Sequence, residues 1–194
     1  MARPLALDDG LAALLIFGPL AVCAVLEHRR FRGDRPLRLA DPTYRRLQAW
    51  QLAGLFLGLA AAWGLPASAL GGPPWLLPVL GCAVGSAGAA LRLWAIRRLG
   101  PLFSRELRVA AGHRVVAAGP YRLVRHPAYA GAIMIFAGIG LGLANAVSIV
   151  ACTALPAAGY VERIAREEAL LVDRLGEPYT RYAERTRRLV PGVW

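Results

Sequence analysis

The chain has 194 residues, 57% of them hydrophobic, and carries a formal net charge of +11. Its length suits one domain of moderate size, but the apolar residues run together instead of recurring at amphipathic spacing, which excludes an ordinary soluble helical core and argues for membrane spans. All 23 basic residues are Arg and cluster beside the apolar runs, so topology rather than nucleic-acid binding accounts for the charge, and attraction to anionic lipid headgroups is its by-product.

Five apolar stretches follow one another. The first, about Leu11 to Leu26, is closed by Glu27-His28-Arg29-Arg30; it lacks a cleavage pattern and reads as a retained span. The second runs from about Ala49 to Leu65 and ends at Pro66, before an uncharged turn, Ala67 to Pro74. The third covers about Trp75 to Ile96, with Arg92 inside its last turns. The fourth and fifth share Tyr129 to Tyr160, hinged near Asn145, and each is short against the roughly 20 residues a span needs. Little tilt, a thinned bilayer, or a tight hairpin closed through Gly138, Gly140 and Gly142 are the three ways such short spans fit. Arg clusters occupy 27–46, 97–125 and the tail after Tyr160, whereas 67–74 and the Asn145 turn carry no charge. The positive-inside rule then places the N-terminus outside and the C-terminus in the cytoplasm. The expected fold is all-α and polytopic, with about five transmembrane helices. Residues 1–98 form the first three helices, and 99–194 form a region with the hairpin, a C-terminal helix and a cytoplasmic pocket between that helix and the connection after the third span.

Cys23, Cys82 and Cys152 lie singly in apolar segments, with no disulfide or metal spacing, so no metal is expected. The connection ends in Gly119-Pro120-Tyr121-Arg122-Leu123-Val124-Arg125-His126-Pro127. Pro127 suits a first helical position, which puts Arg125 and His126 beside a helix N-terminus. Such a spot favours a carboxylate or phosphate; headgroup anchoring is the alternative. In the tail, Ile164, Glu168, Leu171 and Leu175 share a stripe, so Glu168 needs a buried partner or a cationic ligand. Glu167 falls four residues after Arg163 and is expected to pair with it on the surface. Tyr179 and Tyr182 share one helical face, fit either to cover an adenine or to meet the membrane interface. Arg92 is a functional candidate because an intramembrane Arg is costly; snorkelling is its alternative.

The ordered set Arg125-His126-Pro127-Ala128-Tyr129-Ala130-Gly131, Glu167-Glu168 and Leu175-Gly176-Glu177-Pro178-Tyr179 resembles the isoprenylcysteine carboxyl methyltransferase family, over about Leu91 to Pro191. A wider group that includes phospholipid methyltransferases shares this pattern. The resemblance implies an integral membrane enzyme, here of a bacterial inner membrane, that binds S-adenosylmethionine. It implies a cofactor site of His113, Gly119, Tyr121, Arg125, His126, Pro127, Tyr129, Gly131, Glu167 and Glu168. Arg92 and Glu168 are the catalytic candidates: Arg92 would hold a carboxylate acceptor, and Glu168, His113 or His126 would take the proton of a thiol or amine. The expected partners are a lipophilic small substrate and membrane lipids. A nicotinamide-dependent reductase of sterol type and a non-catalytic lipid-binding scaffold are the competing readings.

Overall fold

The structure, a computed structural model, describes residues 9–30, 42–107, 112 and 114–194. Six α-helices account for most of these: α1 Gly10–Arg30, α2 Pro42–Gly64, α3 Leu76–Leu99, α4 Pro127–Gly142, α5 Ala146–Leu175 and α6 Glu177–Arg185. Short 3-10 turns at Pro66–Ser68, Gly100–Leu102 and Gly119–Arg122 sit between them. The expected His113 lies outside the described residues.

Among the described residues, three helical stretches are long and apolar enough to cross a membrane: α1, α3 with its 3-10 extension to Leu102, and α5. The other two expected spans fall on α2 and on α4, a shorter apolar helix of 16 residues. The outward faces are apolar too. Leu14, Leu52, Phe56, Trp63 and Trp75 are exposed, Phe56 at 72%. In water these side chains would form a large unfavourable patch; against lipid they need no cover. The chain is an integral membrane protein.

Small residues set the packing. Gly88 and Gly131 face one another where α3 crosses α4, as do Gly81 and Gly138, and an added Cβ at any of them would meet backbone of the other helix. The α4–α5 hairpin closed through three glycines is therefore corrected. Gly140 alone of the three packs on α5, against Ser148 and Cys152; Gly138 faces α3, and Gly142 faces Ile16 of α1. On the α2–α5 side, Ser148 Oγ donates to the Gly58 carbonyl at 2.7 Å. Ile16, Ile135, Ile139, Leu143 and Cys152 form the core where these helices meet. At the end remote from the Arg clusters, the Asn145 side chain caps α5 through Ser148 N–H at 3.1 Å. Its amide also donates to Ser68 Oγ at 2.8 Å, tying the two uncharged turns together.

The last span and the tail helix, expected as separate pieces meeting near Tyr160, are one helix of 30 residues. No Gly or Pro interrupts the sequence between Tyr160 and Gly176, so nothing stops α5 earlier. At about 1.5 Å per residue it is roughly 45 Å long, longer than a hydrocarbon layer of about 30 Å. Its C-terminal turns, which bear Glu167 and Glu168, extend beyond the apolar layer on the side where the Arg-rich segments gather.

Candidate active site

Two cavities meet at the Arg-rich end of the bundle. The first lies between the connection after α3, the start of α4, the last turns of α5, and α6. Leu99, Val116, Leu170, Leu171 and Leu175 give it apolar walls, and Tyr121, Tyr179 and Tyr182 give it aromatic ones. Arg125, His126, Tyr129, Arg163 and Glu167 supply polar groups on the α4–α5 side, and Ser104, Glu106 and Arg114 supply others from the connection. The second, of about 590 Å³, lies between α1, α2, α3 and α5 and includes Glu27, Tyr44, Gln51, Arg92 and Tyr160. Phe103, Ser104, Tyr129 and Arg163 line both. These four form a common wall.

The first cavity is held together by Glu168. Its carboxylate accepts from Arg125 Nε at 2.8 Å, from Arg188 Nε at 2.9 Å, and lies 3.2 Å from His126 Nε2. Arg125 also donates to the carbonyls of Ala183, at 2.8 Å, and Thr186. Backbone bonds from Arg125 N–H to Arg187 O and from His126 N–H to Arg188 O complete a clasp between the start of α4 and the tail. Of the two alternatives for Glu168, a buried partner or a cationic ligand, the structure holds a partner, Arg125; Glu167, not Glu168, lines the cavity. A stripe argument assigns one face of α5; it does not anticipate that Arg188 returns from the tail to cover that face.

Glu167 accepts from the Tyr129 hydroxyl, which in turn accepts from Arg163 Nε at 3.0 Å. The expected surface position of Arg163 is corrected: it is 3% exposed and also donates to the Arg105 carbonyl. The face of α5 that bears Arg163 turns towards α2 and α4, where Thr43 and Tyr129 meet it.

Of the remaining expected residues, Tyr121 is buried against the cavity in the 3-10 turn that Gly119 opens at φ 62°. Pro127 is the buried first residue of α4. Gly131 lines neither cavity: it lets α4 approach α3 at Arg92, and so sets where Tyr129 and Arg92 stand. Arg92 donates through Nε and Nη2 to Glu27, the latter at 3.0 Å, and through Nη1 to the Ala128 carbonyl at 3.1 Å. It is a neutralised cation in the wall of the second cavity.

Sequence reasoning missed Glu27, Arg163, Tyr160 and Arg188. The signal for Glu27 was present, as a single acid in an otherwise basic cluster that closes an apolar run. Arg188 had none beyond its charge.

Two side chains bear on what the first cavity can hold. The Tyr179 hydroxyl is buried and has no hydrogen-bond partner among the described residues, although Tyr179 lines the cavity. A buried hydroxyl left unsatisfied is costly, so a ligand that offers it a hydrogen bond gains there. The Tyr182 hydroxyl is already used, donating to the Tyr121 carbonyl at 2.7 Å. Burial pushes the Tyr179 hydroxyl above its ordinary range and that of Tyr182 up to about 12, so both stay protonated donors. A largely apolar, aromatic cavity with an idle donor, two carboxylates (Glu106 and Glu167) and three guanidinium groups (Arg114, Arg125 and Arg163) fits an aromatic ligand that carries an amino-acid group. S-adenosylmethionine is of that kind.

A helical membrane bundle with a polar cavity at one end, adjoining a second cavity between its spans, is therefore the class that fold and site define. Within that class the chain is related to the isoprenylcysteine carboxyl methyltransferase family, whose model matches residues 79–173. Similar proteins include protein-S-isoprenylcysteine O-methyltransferase B of Arabidopsis thaliana, 31% identical over 121 residues, a match covering 61% of each chain. A probable protein-S-isoprenylcysteine O-methyltransferase of Oryza sativa subsp. indica is 29% identical over 121 residues, or 61% of this chain and 63% of that protein. The matched region thus spans about three-fifths of these relatives. Among solved structures, the eukaryotic intramembrane Ras methyltransferase ICMT, determined without a monobody, superposes with a TM-score of 0.66 at 21% identity, covering 97% of this chain and 70% of that one. That likeness is one of fold.

Proposed function

We propose that the chain is an S-adenosylmethionine-dependent methyltransferase that esterifies the carboxyl group of a lipophilic, isoprenylcysteine-like substrate. The observation that carries the reading is the common wall of Phe103, Ser104, Tyr129 and Arg163 between a polar cavity and one set among the spans. Such an arrangement suits two ligands of different polarity that must react where they meet. The curated relatives are named for O-methylation of isoprenylcysteine, which supports a carboxyl oxygen as the acceptor.

When bound, S-adenosylmethionine supplies an electrophilic methyl group on a sulfonium. In the first cavity, Tyr121, Tyr179 and Tyr182 would pack against its flat ring, with Tyr179 donating the hydrogen bond it otherwise lacks. Arg125 and His126 would face its carboxylate and Glu167 its ammonium. Glu168 acts through them, because its carboxylate fixes Arg125, His126 and Arg188. Leu170, Leu171 and Leu175 exclude water. In the second cavity Arg92 would orient the acceptor carboxylate, an anion that needs no base. Its oxygen forms the new bond to carbon as the carbon–sulfur bond breaks, and no proton is released. Positioning and dehydration then supply most of the acceleration. The Arg distribution supports an N-terminus outside and a site facing the cytoplasm.

Calorimetric titration of detergent-purified protein with S-adenosylhomocysteine, and separately with NADPH, tests the cofactor assignment. Saturable binding of the first, weakened in Glu167→Gln, is expected. Binding of NADPH alone would replace the proposal with a reductase, and binding of neither by a folded sample would leave a lipid-binding scaffold.

A further inference from the structure

The second cavity holds an ion pair that the reaction, as proposed, does not require. Glu27 closes α1 and meets the Nε–Nη2 edge of Arg92 on α3 with both carboxylate oxygens; the Cys23 thiol donates to the same carboxylate at 3.3 Å. Among the described residues that line this cavity Glu27 is the one carboxylate, whereas Arg29, Arg92, Arg105 and Arg163 are four cationic side chains. By formal charge the cavity favours an anion, and the anion seated on Arg92 in this structure is the protein's own. A guanidinium has five N–H donors, and the bonds to Glu27 and Ala128 occupy three of them. A second carboxylate that enters the cavity finds the bidentate edge filled and the cation neutralised.

We propose that Glu27 is an internal competitor for the acceptor carboxylate on Arg92, and so a specificity-determining residue of the second cavity. This rests on the reading of that cavity as the acceptor site. The acceptor acid must take Arg92 from Glu27, or share it at the cost of bringing two like charges together. Once methylated, the acceptor is a neutral ester that competes poorly for a cation. Glu27 then regains both N–H groups, and the product loses its polar anchor. Esterification itself thereby changes the outcome of the competition, which favours release of product over its retention. While no acceptor is bound, the pair also keeps Arg92 from standing uncompensated among the spans.

The test compares an S-prenylated mercaptocarboxylic acid, such as S-farnesylthiopropionic acid, with its methyl ester. Dissociation constants are measured on full-length protein in detergent saturated with S-adenosylhomocysteine, for wild type, Glu27→Gln and Glu27→Asp. Glu27→Gln is expected to bind the acid about tenfold tighter, with ester and S-adenosylhomocysteine affinities unmoved. Glu27→Asp, which keeps the charge on a shorter arm, should fall between. Acid binding that is unchanged or weaker in Glu27→Gln while S-adenosylhomocysteine binding persists overturns the proposal, as do acid and ester affinities that move together. If Glu27→Gln fails to fold, Glu27→Asp decides alone: tighter binding of the acid supports the competition, and unchanged or weaker binding refutes it. If every form binds S-adenosylhomocysteine and none binds the acid, the acceptor reading falls and this proposal with it.

Discussion

Gly131 offers the sharpest test of how packing places chemistry. It lies one turn into α4, and an added Cβ would stand 2.5 Å from the Gly88 carbonyl oxygen, 2.8 Å from Arg92 N and 2.9 Å from Arg92 Cβ. Comfortable contact between such atoms needs about 3.5 Å. Two of the three are backbone, so no rotamer change relieves the clash, and α3 and α4 must separate by roughly 1 Å. Overpacking of this kind costs about 1–3 kcal/mol. The larger effect is expected on catalysis, because Tyr129 and the Ala128 carbonyl that anchors Arg92 move with α4; a displacement near 1 Å can cost about 100-fold in rate. Gly131→Ala should therefore lower the thermal unfolding temperature modestly and the methyl-transfer rate severely. Gly71→Ala, where an added Cβ has nothing within 4 Å, should alter neither. A Gly131→Ala protein with wild-type kcat and unfolding temperature would refute the view that this crossing sets the distance between the two cavities.

Other substitutions separate holding from binding. Tyr179→Phe removes a hydroxyl with no protein partner, so stability should hold or rise slightly while S-adenosylhomocysteine binds about fivefold weaker in titration, the worth of about 1 kcal/mol. Glu168→Ala leaves Arg125 and Arg188 without their carboxylate and should destabilise by about 3 kcal/mol or more in thermal melts, whereas Glu167→Gln should weaken cofactor binding at much smaller cost to stability. Raising the pH opposes folding through Tyr182. Its folded pKa of about 12 lies above the ordinary value near 10, so its contribution is complete below pH 10 and is lost as pH rises towards 12; Tyr182→Phe should flatten that part of an unfolding-temperature profile.

Much of this arrangement was legible before any coordinates. Uncharged runs bounded by Arg clusters are a direct record of the bilayer, which is why the helices and their ends at Pro66 and Gly176 agree with the chain's own punctuation. That Glu168 needs a cationic partner or ligand also followed from elementary reasoning, because a carboxylate on an apolar stripe must find a cation; that Arg125 is one such partner did not. What stayed hidden depended on crossings between distant segments. Glycine spacing in α4 cannot tell which glycine meets α3 and which meets α5. Nor does any local pattern say that Glu27 reaches Arg92 across 65 positions, or that Arg188 folds back to compete for Glu168. The acceptor cavity was the least legible part, since α1 and α2 contribute to it through a few polar residues, Glu27, His28 and Arg29 on one and Tyr44 and Gln51 on the other, in otherwise featureless spans.

The most direct test of the central claim is methyl transfer itself. Purified protein in lipid would be given S-adenosylmethionine labelled in its methyl group together with an S-prenylated cysteine carboxylic acid. Label that enters the lipophilic product and is released as methanol by mild alkali is the expected result, because esters hydrolyse in base whereas N-methyl and S-methyl groups do not. Label that resists alkali, or no transfer from a preparation that binds S-adenosylhomocysteine, would contradict carboxyl methylation.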